Sequence, residues 1–168
     1  MIASRSRHAV SICAAVALAG CWAMEANAQS EMPTKPAQTK VKKASTATHK
    51  VAIQVTQNDK AVMDLALNNA GNIMEYYKGK GETAIVEIVA YGPGLHMLRS
   101  DTSPVKDRIA PMALESPNLR FSACVNTQTR QSKAEGKPVT LLSEAKLTPS
   151  GVVRLMELQK QGYAYIRP

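Results

Sequence analysis

The sequence predicts an α/β domain, with helices on both faces of a mostly parallel five-stranded sheet. Short β-branched runs alternate with helical stretches from Lys50 onward, the order that right-handed βαβ crossovers produce. One of these runs, Thr83 to Ala90 (TAIVEIVA), is apolar almost without a break, as expected of a strand covered on both faces. Gly, Pro, Asn and Asp mark the breaks between runs, where turns need them.

Lys50 to Gln57 (KVAIQVTQ) alternates apolar and polar residues and reads as the first strand. Asn58-Asp59 then supplies a turn and a cap for a helix over Ala61 to Lys78, where Val62, Leu65, Ala66, Asn69, Ile73, Met74 and Tyr77 recur at spacings of three and four. Gly79 and Gly81 end that helix ahead of the Thr83 to Ala90 strand, and Tyr91-Gly92-Pro93-Gly94 ends the strand. Asp101-Thr102-Ser103-Pro104 offers capping groups followed by proline, predicting a helix toward Glu115 that Pro111 should kink or divide. Leu119 to Cys124 (LRFSAC) is the third strand, followed by a helix opening at Asn126-Thr127. Lys146 to Thr148 is a short fourth strand, Ser150 caps a helix from Gly151 to Gln161, and Tyr163 to Ile166 is the fifth strand.

With 168 residues and 45% hydrophobic content, the chain is one domain plus appendages. Its formal charge of +8 is unevenly placed. From Lys50 to Pro168 there are 15 Lys+Arg against 11 Asp+Glu, so half of the excess belongs to the first 49 residues and no nucleic-acid surface is implied. The aromatic content of 4% also leaves little for base stacking.

Arg5, Arg7 and His8 precede an apolar run from Ala9 to Gly20. That is the layout of a signal peptide, too short to span a bilayer, which takes about twenty residues. Ala26-Asn27-Ala28 fits signal peptidase, giving residues 1–28 as the signal and Gln29 as the new terminus. The alternative is Leu18-Ala19-Gly20-Cys21, which has the look of a lipobox and would leave a lipid anchor on Cys21. Either way the expected location is the periplasm, free or tethered to the envelope, with no transmembrane span after processing. Residues 29–49 carry Pro33, Pro36, Lys35, Lys40, Lys42 and Lys43 and almost no large apolar residue, so they read as a flexible basic linker. Residues 50–168 form the domain.

Several motifs fail on context. Gly79-Lys80-Gly81-Glu82-Thr83 follows a helix and opens a strand, the reverse of a phosphate loop. His96 is the one histidine placed in the domain, so no zinc ligand set is expected, and no cofactor is implied. Cys124 closes a strand and directly precedes a helix, at the sheet edge where open α/β folds place ligands. Helix N–H groups stabilise a thiolate there. It reads as a sulfur-accepting thiol or, alternatively, as a small buried residue filling the strand end. His96 is a candidate proton acceptor for it, or a plain loop residue. Asp101 and Ser103 are explained by capping, and Asn68, Asn69 and Asn72 by contacts to a neighbouring loop or subunit, or by solvent.

VAIQVTQND, LALNNAGNIMEYY, VEIVAYGPGLHML, RFSACVNTQ and LTPSGVVRLMELQKQGYAYIRP together resemble the DsrE/DsrF-like family, above all its exported, signal-bearing branch. The resemblance covers Lys50 to Pro168. It implies a flavodoxin-like three-layer sandwich that assembles as homotrimers or homohexamers, and a cysteine that passes sulfur as a persulfide to or from a thiol partner protein. Cys124-Val125-Asn126-Thr127 corresponds to the family's C-G-N-T turn, so Cys124 inherits the acceptor role, with Val125 in place of glycine. The first reading is therefore a carrier or binder of reduced sulfur, not an enzyme with turnover of its own. The alternative is a structural or small-ligand-binding oligomer in which Cys124 only packs, with Tyr91, Gly92, Gly94, His96, Asn126 and Thr127 lining the pocket.

Overall fold

The structure, a computed structural model, describes residues 47–168. The expected signal peptide, Cys21 and nearly all of the expected linker lie outside the described residues. Five strands, β1 (Thr48–Val55), β2 (Thr83–Ala90), β3 (Leu119–Cys124), β4 (Ala145–Thr148) and β5 (Ala164–Ile166), form one sheet in the order β4-β3-β2-β1-β5. Every pairing is parallel. Four helices connect them: α1 (Lys60–Gly79), α2 (Lys106–Glu115), α3 (Val125–Glu135) and α4 (Gly151–Lys160). This is the expected α/β sheet flanked by helices, of flavodoxin-like three-layer form.

Handedness divides the layers. From β1 to β4 the chain steps in one direction, so right-handed crossovers put α1, α2 and α3 on one face. β5 returns to the far side of β1, which puts α4 alone on the other face. The larger core lies on the first face, where Val51, Ile53, Val55, Val86, Ile88 and Phe121 meet Met63, Leu67 and Ile109. A small cluster of Ala52, Val89, Leu155, Leu158 and Tyr163 lies under α4. Alternation along the strands therefore sends Arg120, Ser122 and Cys124 of β3, and Glu87 of β2, to the thinly covered α4 face.

Several sequence expectations are corrected. The first strand begins at Thr48, so His49 belongs to the sheet and not to the linker; it stacks on Tyr77 and bonds Glu82 at 2.7 Å. Asp59 does cap α1, accepting from Ala61 N at 2.7 Å. The buried stripe of that helix is Met63, Ala66, Leu67 and Ala70, while Leu65 is 46% exposed. Ala66 of the expected stripe is buried and Ile73 and Met74 pack against the core, whereas Leu65 faces outward and Met63 and Leu67 take its place. Gly92-Pro93-Gly94 is not an isolated turn but opens a 3-10 helix, Gly92–Leu98.

The segment before α2 also differs. Its helix starts at Lys106, after Pro104, without a side-chain cap. Asp101 instead pairs with the buried Arg99, whose guanidinium is held between Asp101 and Glu135. Ser103 donates to Met97 O at 2.5 Å. Pro111 does not divide the helix, which continues to Glu115; the ring lies on the exposed side, where the missing N–H leaves one carbonyl to solvent. No described helix is long and apolar enough to cross a membrane.

Candidate functional site around Cys124

β3 runs directly into α3, so Cys124 is both the last strand residue and the N-cap of the helix. The residue is 4% exposed and makes no disulfide. Burial pushes the thiol pKa up. The Thr127 hydroxyl and the backbone N–H groups of Gly151, Thr127 and Asn126 outweigh that and bring it below the ordinary thiol value. These donors come from the first turns of two helices, α3 and α4, whose N-terminal dipole ends both favour a negative sulfur.

The Thr127 and Gly151 donors have local causes. The Thr127 hydroxyl accepts from Gly92 N at 3.0 Å, which leaves its own proton for the sulfur. Gly92 sits at φ +56°, a left-handed conformation that turns its N–H toward Thr127 and that glycine adopts without strain. Gly151 brings α4 against Tyr91: a Cβ on residue 151 would stand 2.7 Å from the Tyr91 side chain. Glycine at the head of α4 thus lets that helix approach the thiol.

Of the residues singled out from sequence, Thr127 and Asn126 act on Cys124 directly and Gly92 acts through Thr127. Tyr91 lies beside the site, half-buried, its hydroxyl accepting from Gln54 Nε2 at 2.7 Å. Burial and the neighbouring Tyr165 raise its pKa, against the Gln54 hydrogen bond. Gly94 packs elsewhere, against the end of β1. His96 donates Nε2–H to Thr102 O at 2.9 Å, across the 3-10 helix, and is not among the groups that act most on Cys124.

Sequence reasoning missed Gly151 and the polar face below the thiol. Glu87, 1% exposed on the central strand, takes Arg154 in a fork, Nε at 2.6 Å and Nη2 at 2.8 Å, and Ser122 Oγ at 2.6 Å. Burial raises the Glu87 carboxyl; Arg154 and Ser122 outweigh it and hold the pKa below the ordinary carboxylate value. The lone glutamate inside TAIVEIVA was the visible signal, since a carboxylate is almost never buried without a partner.

No family model and no curated protein matches the chain. Among solved structures, a protein of unknown function from Methanobacterium thermoautotrophicum is similar, at 29% sequence identity and a TM-score of 0.61. The likeness covers 71% of this chain and 99% of that one.

Proposed function

We propose that the chain is a periplasmic, DsrE-like carrier of reduced sulfur that holds it as a persulfide on Cys124 and has no turnover of its own. The observation that carries this reading is the place of Cys124 as N-cap of α3, with the Thr127 hydroxyl and the first N–H groups of α3 and α4 holding its pKa below the ordinary thiol value. Such a setting favours the thiolate, the form that attacks sulfur. In loading, the Cys124 thiolate attacks the outer sulfur of a donor persulfide R–S–SH. A new S–S bond forms, the donor S–S bond breaks, and R–S⁻ leaves and takes the proton of the outer sulfur. Unloading is the same exchange run toward an acceptor thiol, so no external oxidant or reductant is needed. Assembly into homotrimers or homohexamers belongs to the same proposal, as does docking of a thiol partner protein.

The test is the intact mass of the protein before and after exposure to polysulfide, with a reductant control. A gain of whole sulfur atoms, removed by reductant and absent in Cys124→Ser, is the expected result. An unchanged mass, or a Cys124→Ser protein that still gains sulfur, rejects the carrier. The 4% exposure of Cys124 favours the second reading, a structural or small-ligand-binding oligomer in which the thiol packs. That reading expects slow alkylation of the native protein and fast alkylation after unfolding.

A further inference from the structure

The α4 face of the sheet leaves a cavity of about 320 Å³ lined by Glu87, Arg120, Ser122, Lys146, Thr148 and Arg154, among others. Strand register sets the order of these groups. Arg120 lies opposite Glu87, Ser122 opposite Lys146, and Cys124 opposite Thr148. Three rungs of one sheet face thus run from a cationic end to the thiol.

The charges in this groove are not balanced internally. Arg154 is committed to Glu87 and also stands 3.5 Å from Glu157. Arg120 and Lys146 make no ion pair or side-chain hydrogen bond among the described residues, and both are exposed; Arg120 acts on Glu87, opposite it, only through its charge. Thr148 also lines the cavity, and its hydroxyl, which takes no partner among the described residues, is open to solvent there. Two cations without an ion-pair partner, on the rungs that lead to the thiol, mark a place for an anionic ligand.

We infer that this groove seats the carboxylate-bearing tail of a small peptide thiol, with Arg120 and Lys146 holding the carboxylates and Thr148 the chain next to the sulfur. The assignment rests on the reading of Cys124 as sulfur acceptor and names its donor. From the Lys146 rung to the Cys124 rung is two strand residues, about 7 Å, and from the Arg120 rung four, about 13 Å; a tripeptide with a central thiol reaches about 5 Å from sulfur to either end of its backbone, and the long Lys146 and Arg120 side chains cover the remainder. The volume is at the small end of ligand pockets. The delivery step is the exchange already written, with R–SH the peptide thiol released.

S-methyl glutathione, whose sulfur cannot be attacked, is the binding probe; glutathione persulfide and inorganic polysulfide are the two sulfur donors. Arg120→Ala and Lys146→Ala, both at exposed positions, should each weaken binding of the probe about tenfold. Loading of Cys124 from subsaturating glutathione persulfide should fall by the same factor in the two alanine variants, while loading from inorganic polysulfide, which has no tail, stays as in the parent. Absence of probe binding, or binding indifferent to both substitutions, overturns the groove; if polysulfide still loads Cys124, the carrier reading survives that loss. Probe binding with no sulfur uptake from either donor overturns the assignment of the groove to delivery and the carrier reading together.

Discussion

Replacing Arg154 by methionine keeps most of the side-chain volume and removes the charge that balances Glu87. The carboxylate, 1% exposed, would then keep one hydrogen bond, from the Ser122 hydroxyl, and the more distant charge of Arg120. Breaking one side of a buried pair costs about 3 to 5 kcal/mol, and Arg154, a quarter exposed, belongs at the lower end. With about 120 described residues and ~2.1 cal/mol/K per residue of unfolding entropy, a loss of about 3 kcal/mol lowers Tm by ~12 °C. Urea unfolding of the parent, Arg154→Met, Glu87→Gln and the double variant gives the coupling directly. The double variant should recover part of the loss, because no lone charge remains buried. The pH dependence has a definite sign. Glu87 is held below its unfolded value, so its contribution is complete above an unfolded carboxyl pKa of about 4.3 and disappears as pH falls through the lower folded value. A single-variant loss under about 1 kcal/mol at pH 7, or coupling unchanged at acid pH, would refute the view that Arg154 keeps a buried carboxylate ionised.

Two further outcomes follow from the site and its supports. Thr127→Val removes the hydroxyl donor to Cys124 and the acceptor of Gly92 N; the pH profile of Cys124 alkylation should move upward, with a stability loss of about 1 kcal/mol, and an unmoved profile would show that the hydroxyl does not act on the sulfur. Gly94→Ala puts a Cβ 2.4 Å from Val55 O, and since backbone must move to admit it, the cost should be about 3 kcal/mol by thermal denaturation. Gly79→Ala, with nothing within 4 Å, is its matched control and should be neutral or slightly stabilising.

The parallel α/β class, all five strands and the four connecting helices were legible in the chain, because burial on one or two faces imposes a period on local sequence. The strands Thr83–Ala90 and Leu119–Cys124 agree with the expectation to the residue. The placement of Cys124 at a strand end and helix start was equally legible, since both elements adjoin it in sequence. Misreadings occurred where a distant partner decides. Asp101 has the letter of a cap, but Arg99 claims it together with Glu135, 36 residues from the arginine. Leu65 has the letter of a core residue, yet Met63 and Leu67 are the large residues of that helix which the sheet covers.

What the sequence by itself determined is therefore the set of elements, their order and the single thiol at the head of a helix, all properties of neighbouring residues. Only the tertiary structure decided what surrounds that thiol. Gly151 reaches Cys124 because α4 crosses back over the sheet. Arg120, Ser122, Lys146 and Thr148 share a groove because parallel register aligns strands far apart in the chain. Register and crossover direction arise from burying the faces of the whole sheet at once, and no local stretch of residues carries that information.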